Sequence, residues 1–213
     1  MENTSLNPAA VKLHQQARIL GQKGRYEETI EKLTQAIQLA PAWVYPIYDL
    51  AYTYLLMQDY DMALIYYKQT DDLAPKGFFT SKTAIYTLEG EKAGLFPAGF
   101  YLKYLSIEWT ENRAEKLEIA KWLTRMAPDF APAWKELGVL IDYDEERLDA
   151  IETGLTKNPD TETKGILLLN KALILKRSGA KEEANNILQG VISSPDSTFS
   201  NINLAKQFLR TPF

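Results

Sequence analysis

The sequence contains no cysteine, which excludes disulfides, thiolate nucleophiles and cysteine-bound zinc. It contains one histidine, His14, too few for a histidine-rich metal site. A catalytic imidazole also needs an orienting partner and a nucleophile, and no motif around His14 supplies them. Long apolar runs are missing. Ile166-Leu167-Leu168-Leu169 is typical of the longest, far short of the roughly 20 residues of a membrane helix. Met1 to Ala10 is polar, without the apolar stretch of a secretory leader. A cytoplasmic location and no membrane partner are expected. Positive charge is sparse: the formal net charge is -4, and Lys171, Lys176, Arg177 and Lys181 lie scattered. Phosphates require clustered cations, so no nucleic-acid partner is expected. P-loops, nucleophile elbows and dinucleotide fingerprints are absent. The chain therefore reads as non-enzymatic, with no catalytic residues, cofactor or metal.

What is present is repetition. The 213 residues, 46% hydrophobic, are enough for a folded domain or one continuous array. At an offset of 34, Leu13 meets Ile47, Ala17 meets Ala51, Leu20 meets Tyr54 and Tyr26 meets Tyr60. Thr29 then meets Ala63, Leu33 meets Tyr67, Ala36 meets Thr70 and Pro41 meets Pro75. Agreement at so many positions in one register marks an internal repeat. Leu13, Gln16, Ala17 and Leu20 recur at helical spacing, as do Ile30, Leu33 and Ile37. Each unit is thus two helices joined by a turn at Gly21 to Gly24 or Gln58-Asp59, and Pro41 and Pro75 end the second helix. Asn7-Pro8 supplies an N-cap and a first-turn proline for the opening helix.

These residues resemble the tetratricopeptide repeat family. Trp134-Lys135-Glu136-Leu137-Gly138 follows that family's first-helix pattern, and Ile47, Leu50, Ala51, Tyr54, Ala63, Tyr67 and Pro75 follow the whole unit. The expected fold is all-α: an α-α superhelix, a solenoid of antiparallel helix pairs with an irregular three-helix middle segment. A single domain over 1–213 is expected, with repeats at about 9–41, 43–75, 131–160 and 162–195. The irregular segment spans 78–128, with helices near 79–91, 97–109 and 112–126. Asn112-x-x-Glu115 is a capping box opening the last of these, and one of the three is an insertion. A helix at 198–210 should seal the end, with Phe199, Leu204 and Phe208 covering Ile187, Leu188 and Val191.

Four short features read as structure. His14 is a groove or surface histidine. Asp142-Tyr143-Asp144-Glu145-Glu146 lacks the glycine and distal glutamate of a calcium loop and reads as acids in a helix's first turn. Gly21-Gln22-Lys23-Gly24 has the GxxG form of some RNA-binding loops but falls where the repeat needs its turn. Asp71-Asp72 reads as a solvated face.

The resemblance implies a groove lined by the first helix of each pair. With Ile47, Leu50, Ala51 and Tyr54 buried, the groove face is Tyr45, Tyr48, Tyr52 and Leu55, preceded by His14 and Arg18 and followed by Phe79, Lys82 and Tyr86. The expected peptide-groove residues are therefore His14, Arg18, Tyr45, Tyr48, Tyr52, Phe79, Lys82 and Tyr86. The same tyrosine stripe is what packing against the next helix would produce, and both readings stand at this point. The family's clamp for chaperone tails needs Lys and Asn, then Asn, then Lys and Arg. Here those places hold His14 and Arg18, then Asp49, then Phe79 and Thr83, so that function does not carry over. The expected function is a protein- or peptide-binding adaptor or scaffold. The alternatives are a self-associating structural protein and a secretion-type chaperone.

Overall fold

The computed structural model describes residues 6–211, and these form twelve α-helices and no strand. The chain divides into two compact units, Met1–Leu88 and Glu89–Phe213.

The first unit opens with α1 (Pro8–Gln22) and α2 (Tyr26–Leu39), then α3 (Val44–Leu56) and α4 (Tyr60–Leu73). Asn7 caps α1 by accepting from the Ala9 amide at 2.9 Å, with Pro8 at the first position. Asp59 caps α4 through the Met62 amide at 3.1 Å. The turns within the two pairs need a left-handed residue, which is Gly24 in the first (φ 71) and Gln58 in the second (φ 62). The core joins Ala17, Leu33 and Leu50 from α1, α2 and α3, with Ile30, Ile37, Tyr54 and Tyr66 packed around it. Leu55, expected on the open face, is fully buried. Ile47, Ala51 and Leu55 step by four along α3 and share its inner face, whereas Tyr54 is half-buried and stacks on Tyr66 at 5.5 Å.

The division between units runs through α5 (Ser81–Lys92). This helix starts two residues later than the sequence suggests, because Phe79 adopts φ 47, outside the helical region. Next come α6 (Phe100–Trp109) and α7 (Arg113–Met126). The start of α6 also slips, from 97 to 100. Gly99 is left-handed, and the Glu91 carboxylate takes the Gly99 and Tyr101 amides at 2.7 Å each. Asn112 caps α7 as expected, accepting from Ala114 and Glu115.

The second unit continues with α8 (Ala131–Leu140), α9 (Asp144–Leu155), α10 (Thr161–Arg177), α11 (Lys181–Ser193) and α12 (Phe199–Arg210). Neighbours along the chain from α6 to α12 pack on one another, and the acids Asp144, Glu145 and Glu146 fill the first turn of α9. Helix α12 covers α10 and α11, through Phe208 as expected but not through Phe199 and Leu204. Phe199 is 62% and Leu204 38% exposed. The covering residues are Ala205, Phe208 and Leu209. Thr198 sets the helix start, and buried Asn201 packs where a Cβ on Gly165 would collide with it, while donating to the Glu162 carbonyl at 3.1 Å. That contact turns the helix so that positions 201, 205, 208 and 209 face inward.

Candidate functional site

The residues expected to line a groove fall into two neighbouring features of the first unit. The first is a chain of aromatic rings at the start of α3 and in the segment leading into α5. Tyr45 meets Phe78 edge-on at 4.8 Å and Phe79 at 5.9 Å. Tyr48 meets Phe78, Phe79 and Tyr67 at 5.6, 5.1 and 5.6 Å. The Tyr48 hydroxyl is 3.0 Å from that of Thr80. Trp43 extends the chain to His14 at 4.9 Å. At its outer edge Tyr45 is 45% and Phe79 60% exposed. Phe79 sits on the turn ahead of α5, held out by its left-handed backbone rather than by a helix face.

His14 is not a surface residue. It is only 6% exposed, and its Nε2 lies 2.7 Å from Asp49 Oδ2, tying α1 to α3. Asp49 is thereby engaged from within the fold. Lys82 is likewise not a loose groove cation: its ammonium donates to Asp71 at 2.7 Å, joining α5 to α4. Asp71 therefore belongs to an ion pair rather than to a solvated face. Tyr86 is half-buried on α5.

The second feature is a cavity of about 360 Å³ between α1 and α3, floored by α2. Arg18 and Gln22 stand exposed at its mouth, Tyr26 and Tyr52 form walls, and Leu33 and Thr29 lie on the floor. Arg18 makes no ion pair among the described residues. The sequence pattern finds Arg18, Tyr52, Tyr45 and Phe79 through the repeat register. It misses Trp43 and Phe78, which lie outside the helices and carry no periodicity, and it misses the cavity, which depends on how three helices meet.

The second unit holds a largely buried polar triad. Lys135 donates to the Tyr104 hydroxyl at 2.6 Å and pairs with Glu136 at 2.7 Å, and Tyr104 donates to Glu136 at 2.9 Å. Burial raises Tyr104 well above the usual phenol range. Burial alone lowers Lys135, but Glu136 and the Tyr104 oxygen outweigh it and hold the ammonium well above its ordinary value. Every member has its partner, as in a structural network. Among the described residues, no three His, Asp or Glu side chains gather as metal ligands do, and no helix is long and apolar enough to cross a membrane.

A tetratricopeptide repeat model matches residues 13–42 and 46–76. These two stretches are tetratricopeptide repeats. Among solved structures, it resembles the flexible tandem repeat domain of a bacterial cellulose synthase component. That likeness has 17% identity and a TM-score of 0.57, over 92% of this chain and 98% of that one. It shows the fold. MamA of Desulfovibrio magneticus RS-1, from residue 41 to its end, aligns at 14% identity and TM-score 0.41, over 95% and 98% of the two chains. YrrB, described as a TPR protein with an unusual peptide-binding site, aligns at 14% and 0.40, over 95% and 92%. Comparison with curated proteins gives no match. The family supports the general reading of a protein-interaction adaptor or scaffold, of a kind that is generally not catalytic.

Proposed function

We propose that this chain is a non-enzymatic, cytoplasmic adaptor that holds an extended segment of a partner protein against the first helices of its first unit. The observation that carries the reading is the aromatic ledge formed by Tyr45 and Phe79, about half exposed yet seated on the half-buried rings of Phe78 and Tyr48. Rings already fixed by neighbours offer apolar area at low entropic cost, which is what interface anchors require. In this reading Tyr45 and Phe79 meet the partner directly, and Tyr52 and Arg18 meet it at the cavity. His14 and Tyr48 hold the ledge in place from below. Lys82 fixes α5 through Asp71 and contributes position rather than charge, and Tyr86 extends the face along α5.

The test compares binding with folding in single variants. A partner is first recovered from native extract, identified by mass spectrometry and purified. Its affinity is then measured for wild type, Phe79→Ala and Tyr52→Ala. The expected result is binding weakened at least about tenfold for each, as anchor truncations typically give, with little change in melting temperature. Normal binding together with a much lower melting temperature would make these rings packing residues and end the proposal.

A further inference from the structure

The cavity under Arg18 is built differently from the ledge beside it. Its floor hydroxyls are already used: Thr29 donates to the Arg25 carbonyl at 2.8 Å and Thr53 to the Asp49 carbonyl at 2.7 Å. With those protons committed, a hydrogen-bond acceptor entering the cavity would lose water without gaining a donor from either threonine. The volume, about 360 Å³, lies at the low end of the roughly 300–1,000 Å³ of ligand sites, so it has room for a large side chain together with the peptide units that flank it. The mouth is the opposite in character. Arg18 has five N–H donors and no ion pair among the described residues. The Asp49 carboxylate also lines the site, with one oxygen held by His14 and the other without a partner among the described residues. One donor group and one acceptor group at the entrance match a peptide unit, whose carbonyl accepts and whose N–H donates.

Building on the adaptor reading, we infer that this cavity receives a single leucine- or phenylalanine-sized side chain from the interior of an extended partner segment, with Arg18 and Asp49 taking the adjoining main-chain carbonyl and amide. The occupant is uncharged at that residue. A terminal carboxylate is disfavoured beside Asp49, an acidic side chain finds no threonine proton free to meet it, and a basic one finds no carboxylate on the floor.

Gly21 makes the inference testable apart from folding. It lines the cavity near the end of α1, and a Cβ there meets nothing closer than the Thr29 side chain at 3.7 Å. Filling this position takes up the space without displacing the core, and replacing a helical glycine favours the helix.

The probes are N-acetyl-leucine N-methylamide and the phenylalanine equivalent, each a large side chain between two peptide units, with the alanine equivalent as control. They are titrated into the full-length ¹⁵N-labelled chain and followed by amide chemical shifts. The expected result is saturable shifts at Gly21, Thr29 and Thr53 with the leucine or phenylalanine probe and none with alanine. Gly21→Leu should abolish them while melting no lower than wild type. Gly21→Ala, the milder filling, should weaken them, and Arg18→Ala should weaken them by about tenfold or more. Phe199→Ala, at an exposed ring of the second unit, should leave them unchanged. No saturable shift with either large probe, equal response to alanine, or unaltered binding in Gly21→Leu would overturn the assignment. A doubling of mass with concentration that Gly21→Leu abolishes would also overturn it, because the occupant would then be a second copy of the chain. If the probes fail while Phe79→Ala still weakens the purified partner, only the cavity assignment falls. If the probes bind but Phe79→Ala and Tyr52→Ala leave the partner's affinity unchanged, it is the adaptor reading that falls.

Discussion

Gln58 turns the chain between α3 and α4 with φ 62, at the place Gly24 occupies one repeat earlier with φ 71. A side chain in the left-handed region costs about 1–2 kcal/mol, and glycine brings back some of that as chain entropy, about 0.5–1 kcal/mol. Gln58→Gly should therefore raise stability by about 0.5–1 kcal/mol, read as a higher denaturant midpoint at unchanged slope. A lower midpoint would mean that the Gln58 side chain supplies more than the strain removes. Glu91 makes a second prediction at this scale. Burial raises its carboxyl above the usual range, and the Tyr101 and Gly99 amides offset that only partly. The folded chain thus holds this proton to higher pH than the unfolded chain. Its contribution to stability is full below the ordinary glutamate range and is lost as pH rises through the raised folded value. Stability of Glu91→Gln relative to wild type should accordingly increase between about pH 4 and pH 7, measured by denaturation at both ends. A difference that stays flat or falls would contradict the assignment.

Helices are where the sequence speaks most clearly and where its silence is most specific. Asn7, Asn112 and the spacing of Leu13, Ala17 and Leu33 announce α1, α2 and α7 because caps and 3.6-residue periodicity are local. The starts of α5 and α6 are misread because Phe79 and Gly99 take left-handed backbones, and because Glu91 reaches eight residues forward to cap α6. Nothing in the pattern of a single helix marks such a cap. The inward face of α12 is unreadable for a similar reason: Asn201, a polar residue, sets the rotation by fitting against Gly165, where periodicity gives weight to Phe199. Register alone assigns His14 and Lys82 to the groove, because their acceptors, Asp49 and Asp71, lie on other helices. The corrected face of α12 gives a sharper test of capping. Deleting residues 197–213 should expose Leu188, Val191 and Ala172. At about 25 cal/mol per Å² of apolar surface, this costs a few kcal/mol. The expected outcome is aggregation or a clearly lower melting temperature, with Ala205→Asp giving the same defect and Phe199→Ser little effect. A monomeric truncation with an unchanged melting point would refute the cap. Between α6 and α8, Lys135→Met should cost about 2–3 kcal/mol, because it removes the cation of the triad and leaves Glu136 only the Tyr104 hydroxyl. A variant as stable as wild type would show the triad to be dispensable.

At the scale of the molecule, each unit builds its own core, and the features suited to a partner lie in the first. Its aromatic ledge and the cavity beside Arg18 both arise from the α1–α4 repeats and the turn into α5. The central claim is that this face, and not the outside of the second helices, receives the partner. Photo-crosslinking tests it most directly. A photoreactive phenylalanine analogue is placed singly at Tyr45, at Phe79, and at Ile65, an exposed apolar residue on α4, and each full-length protein is irradiated with the purified partner. The account predicts strong adducts from positions 45 and 79 and almost none from 65. Adducts chiefly from 65, or equal yields from all three, would contradict it.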